Sequence, residues 1–139
     1  MAAVQQLAAY EERRKYPRLK INLPARVSRH QGKQVDAMIY DLSPDGIQVR
    51  CTKQTAGLVH PVDSNIDMGN KPVVVVAFSI PHHKGEKEII ARCKICHMIL
   101  LDQNSAVEEV AFGMKFTRFK DNCEKYISQY FIQEMEPAE

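Results

Sequence analysis

Along the middle of this chain, apolar and polar residues alternate with the two-residue period of half-buried strands. In 47–53, Ile47, Val49 and Cys51 face one way and Gln48, Arg50 and Thr52 the other. In 109–117, Val110, Phe112, Met114 and Phe116 share one face, while Ala111, Gly113, Lys115 and Thr117 share the opposite one. A continuous apolar run, Val73 to Phe78, marks a strand over 72–80, and 86–100 reads as the next. Two more strands are expected upstream, at 21–30 with an early interruption by Pro24, and at about 34–42. Turn residues separate them: Gln31-Gly32-Lys33, Ser43-Pro44-Asp45-Gly46, Pro81 through Gly85, and Asp102-Gln103-Asn104-Ser105.

The period then changes. Phe119, Cys123, Tyr126, Ile127, Tyr130 and Phe131 recur at i, i+4, i+7, i+8, i+11 and i+12, the stripe of an amphipathic helix. Asp121 with Glu124 three residues on predicts a capping-box start at Asp121. The stripe is expected to pack across the mouth of a barrel as core and not to serve as a dimer face, six strands and a closing helix fitting a small barrel that leaves few open edges. A short helix is expected over 4–12. The stretch 54–71, with Gly57, Pro61 and Gly69, reads as a long surface loop with room for a helical turn and as a secondary candidate for contacting a partner.

Composition adds class. At 139 residues, 45% hydrophobic and 26% charged, one domain with one substantial core is expected. No apolar run approaches the roughly 20 residues of a membrane helix, and no basic region precedes an apolar core at the N-terminus. A cytoplasmic protein with four free thiols is the expectation. Net charge is only +2, yet Arg13, Arg14, Lys15, Arg18, Lys20, Arg26, Arg29 and Lys33 follow one another with no acid between them. Such a run is either a solvated basic face or an anion site.

Cys93-Lys94-Ile95-Cys96-His97 matches the C-x-x-C-H pattern of covalent haem attachment. Its flanks alternate as a strand, which sends cysteines three apart to opposite faces, so a haem is rejected. No second cysteine pair stands at zinc spacing. No Gly-rich phosphate loop or nucleophile elbow appears, and an enzyme is not expected.

Two short stretches carry the candidate chemistry. In Arg14-Lys15-Tyr16-Pro17-Arg18, Pro17 opposes a helix and leaves the guanidiniums on an extended or turning segment. Guanidinium forks suit phosphate oxygens and the O6/N7 edge of guanine. In Asp41-Leu42-Ser43-Pro44-Asp45-Gly46, proline and glycine fit a tight turn, with glycine where φ is free to be positive. Ionised Asp41 only accepts hydrogen bonds, so it should meet a guanine N–H edge or an arginine.

The ordered pair, Arg-x-x-x-Arg before the first strand and Asp-x-Ser-x-x-Gly between the second and third, resembles the signature of the PilZ domain family. The resemblance runs from about residue 11 to 131, and Phe112-Gly113-Met114-Lys115-Phe116 is similar to the family's closing strand. It implies a mainly β fold: a six-stranded antiparallel barrel with a C-terminal α-helix and a short N-terminal helix or arm. It also implies a non-catalytic receptor for the bacterial second messenger cyclic di-GMP, without cofactor or metal. On that reading 1–20 is an arm carrying the arginine switch and 21–139 is the barrel. Arg14 and Arg18 grip phosphate and guanine edges, while Asp41, Ser43 and Gly46 form the floor. Arg13 supplies a third guanidinium, suited to a stacked pair of ligands. The arm closes on ligand and changes the surface shown to a protein partner. Two alternatives stay open: a PilZ-like module acting only through protein contacts, and a basic barrel binding single-stranded nucleic acid, for which Tyr16 is the one aromatic placed among arginines.

Overall fold

The computed structural model describes residues 18–29, 33–59, 72–101 and 108–135. Six strands form one closed antiparallel barrel: β1 (Leu19–Arg29), β2 (Val35–Ser43), β3 (Gly46–Thr52), β4 (Val73–His82), β5 (Gly85–Leu101) and β6 (Glu109–Phe119). Around the barrel the order is β1-β2-β3-β6-β5-β4, and β1 pairs with β4 to close it. Closure removes the exposed backbone edges that an open sheet would leave.

The alternation read from the sequence is the inside–outside pattern of this barrel. Val74, Val76, Phe78 and Ile80 of β4 point inward, so the continuous apolar run is one core face plus an outer column of Val73 and Val75. They meet Ile39, Leu42, Ile47, Val49, Ile89, Phe112 and Met114 in a single core. Each such side chain contributes roughly 1.5–3 kcal/mol by leaving water.

Both barrel ends are plugged. At one, α1 (Lys53–Val59) buries Ala56 and Val59. Its first turn is capped by Thr52, whose hydroxyl accepts the Thr55 backbone N–H at 3.2 Å. The start of the stretch read as a loop at 54–71 is therefore helix, held because its apolar positions complete the core; 60–71 lie outside the described residues. At the other end, α2 (Glu124–Met135) buries Ile127, Tyr130 and Phe131, as its stripe predicts, with Cys123 buried just before it. The helix does not begin at Asp121. Lys120–Asn122 form a 3-10 turn in which Asp121 and Asn122 have φ of 53° and 58°. Asp and Asn tolerate this left-handed backbone, which swings the chain from β6 across the barrel mouth and rules out a capping box at Asp121.

Register shifts break the regular pairing at four places: between Lys20 and Leu23 in β1, Ile39 and Asp41 in β2, and Arg92/Cys93 and Ile95/His97 on the β5–β6 ladder. β1 keeps its alternation through the first shift, but the extra residues in β2, β5 and β6 reverse which side chains face out, and those reversals build the outer surface.

Candidate functional site

The bulge at Tyr40 is the decisive one. Strict alternation from Ile39 would bury Asp41 and expose Leu42. With Tyr40 as the extra residue, Leu42 faces the core with no exposed surface and Asp41 turns to the outer face. There the pairing aligns one transverse row across four strands, Lys20–Asp41–Gln48–Gly113, and a similar shift at Cys96 puts His97 beside Gly113 as its fifth member.

Arg18 lies against this row. Its Nη1 donates to Asp41 Oδ1 at 2.8 Å, and the two side chains are only 5% and 2% exposed. Lys20 Nζ stands 3.7 Å from the other carboxylate oxygen with its head in water, 69% exposed. A carboxylate so sheltered restrains the guanidinium paired with it, because a buried charge is stable only beside its partner.

Gln48 is fully buried although it points out of the barrel. Its Oε1 accepts from Arg50 Nε at 2.7 Å, and Arg50 lies over the Tyr40 ring at 4.3 Å from the centroid. That contact fixes the amide's orientation, since Nε of arginine needs an acceptor. Gln48 Nε2 is then left buried without a hydrogen-bond partner among the described residues. A buried donor in that state costs stability and is answered by any acceptor brought to it.

His97 lies flat on Gly113: a Cβ at position 113 would come within 1.7 Å of its ring. Burial, and then the positive field of Arg18, lower the imidazole pKa to about 4, so His97 is neutral at neutral pH. The row therefore presents one cation pair, one compensating carboxylate and an uncharged amide and imidazole.

The hairpin closing the row is the predicted turn. Ser43 pairs with Gly46 around Pro44-Asp45, and the Ser43 hydroxyl donates to the Asp45 carboxylate, with Gly46 O further off at 3.4 Å. Asp45 O in turn accepts from Phe116 N at 2.9 Å, tying the turn to β6. Gly46 does not have positive φ, which corrects the conformational reason given to it. Glycine is needed because a Cβ would sit 2.2 Å from the Met114 carbonyl oxygen. The requirement comes from β6, not from the turn.

Of the residues singled out from the sequence, Arg18 and Asp41 are brought into contact, and Ser43 and Gly46 stand at the adjoining hairpin. Arg13 and Arg14 lie outside the described residues. Leu19 and Lys20, assigned to the arm, are the first residues of β1. Gln48, His97, Gly113 and the Tyr40–Arg50 stack were not anticipated. A glycine inside the regular strand 109–117 was the available signal, since it marks a close approach. Cys93 is buried with its thiol pushed up to about 12, chiefly by burial, while half-buried Cys96 occupies the bulge; no metal-binding cluster occurs among the described residues. No helix among them is long and apolar enough to cross a membrane.

The PilZ domain family model matches residues 12–133. No curated protein sequence matches. Among solved structures, the chain is similar to the Bacillus subtilis inhibitor of motility MotI/DgrA, with TM-score 0.63 and 14% identity over 87% of this chain and 50% of that one. It is similar also to the PilZ domain of YcgR from Escherichia coli with c-di-GMP, with TM-score 0.59 and 12% identity over 88% and 92% of the two chains. The Borreliella burgdorferi PlzA protein in complex with c-di-GMP matches with TM-score 0.55 and 11% identity over 99% and 60%. At these identities the likeness is one of fold. The chain spans about half the length of the first of these structures.

Proposed function

The chain belongs to the PilZ domain family, and from that premise we propose that it is a non-catalytic receptor for cyclic di-GMP, which it reads on the outer face of the barrel beside the hairpin 43–46. The observation that carries the reading is the pairing of Arg18 with a buried Asp41 beside Gln48, whose Nε2 has no hydrogen-bond partner among the described residues. A cyclic dinucleotide offers fixed phosphate charge and guanine O6/N7 acceptors, the two chemistries this row lacks.

In the proposed mechanism Asp41 holds Arg18 so that its remaining N–H groups meet guanine or phosphate oxygens without first losing side-chain entropy. Gln48 Nε2 donates to a further guanine acceptor. Arg14 meets a phosphate, and Arg13 stacks on an outer guanine or meets an additional phosphate when two ligands bind as a stacked pair. Each charge-assisted bond contributes about 1.5–3 kcal/mol. Ser43 and Gly46 form the floor, where the absent Cβ keeps the hairpin close to β6. Ligand binding changes the conformation of the arm over 1–18 and with it the surface available to a protein partner.

Titration calorimetry with cyclic di-GMP, GTP and a short single-stranded oligonucleotide tests the reading. Saturable binding of cyclic di-GMP alone is expected. Heat with none of the three leaves a protein-contact module, and preferential binding of the oligonucleotide assigns the face to nucleic acid.

A further inference from the structure

A second cationic surface lies on the outer face of β5 and β6, past the hairpin and apart from Arg18. Arg92 stands directly opposite Arg118, and Lys94 directly opposite Lys115. All four are exposed, and Lys120 continues the column at the end of β6. Like charges facing each other across a ladder destabilise a sheet. None of the ion pairs among the described residues involves any of the five.

The backbone is bent to make this arrangement. In β6, Met114 and Phe116 point inward, so strict alternation would send residue 118 into the core. Instead Thr117 is the extra residue of a bulge, and its hydroxyl donates to the Arg92 carbonyl at 3.1 Å. Phe119 thereby packs on Phe116, with ring centroids 4.7 Å apart, and Arg118 comes out beside Arg92.

An apolar column runs alongside. Val75 is paired with Arg92, and exposed Val73 with Lys94. Val75, Ile90 and Phe119 contribute the apolar wall of a groove of about 510 Å³ whose basic wall is Arg92, Arg118 and Lys120; Asp121 is the single acid on it.

We propose that this groove docks an acidic peptide segment of a partner protein, in extended conformation, with carboxylates on the Arg92/Arg118 and Lys94/Lys115 pairs and aliphatic side chains on Val73, Val75 and Ile90. Bidentate carboxylate recognition suits paired guanidiniums. The apolar column of Val73 and Val75 is aliphatic, and Phe119, the aromatic of the groove wall, is half-buried against Phe116, whereas single-stranded nucleic acid needs exposed aromatic platforms to stack its bases. Lys115 also pairs with Gly46, so the surface begins one strand from the proposed ligand hairpin, although the inference does not depend on cyclic di-GMP.

The test uses the full chain and fluorescently labelled peptides of alternating Glu and Val, the same peptides with Gln for Glu, and oligo-dT of equal length. Fluorescence anisotropy should show saturable binding of the acidic peptide that weakens at high salt, and at least about tenfold weaker binding of the Gln version. Arg92→Glu with Arg118→Glu should abolish the difference, while Lys33→Glu, an exposed charge reversal elsewhere, should leave it intact. Arg92→Ser with Arg118→Ser should leave the thermal midpoint unchanged or raise it, because a repulsive pair is removed. Tighter binding of oligo-dT, equal binding by the charge-reversed protein, no saturable peptide binding, or a midpoint lowered by the Ser pair would each overturn the proposal.

Discussion

Replacing Arg18 by alanine should damage the fold as well as any ligand site. The Asp41 carboxylate is 2% exposed, and its partner at 2.8 Å is a guanidinium only 5% exposed. Removing one member of a buried ion pair costs about 3–5 kcal/mol, because the other charge stays behind unpaired. Lys20 Nζ, 3.7 Å from the second carboxylate oxygen, offsets part of this from solvent, so the lower end is expected, about 3 kcal/mol. For a domain of this size that corresponds to a fall of roughly 10 °C in thermal midpoint. Adding Asp41→Asn removes the stranded charge, so the double mutant should regain most of the loss. A double-mutant cycle read by urea denaturation gives the coupling directly. A loss within about 0.5 kcal/mol for Arg18→Ala, or a double mutant no more stable than the single one, would refute the claim that Asp41 depends on this partner.

Arg14→Ala should weaken cyclic di-GMP binding by roughly tenfold to a hundredfold in calorimetry, the loss of one or two charge-assisted bonds; unchanged affinity would remove Arg14 from the site. Gly46→Ala should destabilise severely, since its Cβ meets the Met114 backbone oxygen, whereas the three atoms nearest a Cβ at Gly113 all belong to the His97 ring, so Gly113→Ala should be rescued by His97→Ala; denaturation midpoints that fail to separate the two glycines would contradict this geometry. Because His97 takes a proton less readily folded than unfolded, its contribution is complete above about pH 6.5 and is lost as pH falls toward about 4, so His97→Asn should flatten thermal stability across that window, and an unchanged slope would place the pH dependence elsewhere. Two ligands per chain are expected by calorimetry, with Arg13→Ala lowering the stoichiometry toward one; a one-to-one isotherm for the unmutated protein would exclude the stacked pair.

The strands, their order along the chain and the closing helix were legible because each rests on local periodicity. Ile47 to Thr52 and Val110 to Phe116 alternate whatever their partners are. The helix of Ile127 and Tyr130 declares itself by its stripe, though its first turn does not, because the left-handed backbone at Asp121 and Asn122 answers to the geometry of the barrel mouth. The two motifs were legible as well, since they are short and contiguous. Arg18 on an N-terminal segment reads only as a ligand contact; its burial against Asp41, which makes it structural too, requires β1 and β2 to pair. The bulges were beyond the sequence for the same reason. Whether Tyr40, Cys96 or Thr117 is the extra residue depends on which atoms the neighbouring strand offers, and one shift of register moves every later side chain to the other face. The chain's alternation therefore determined the strands and set Leu42 and Asp41 side by side in sequence, while only pairing across the closed sheet decided that Leu42 faces the core and Asp41 faces Arg18.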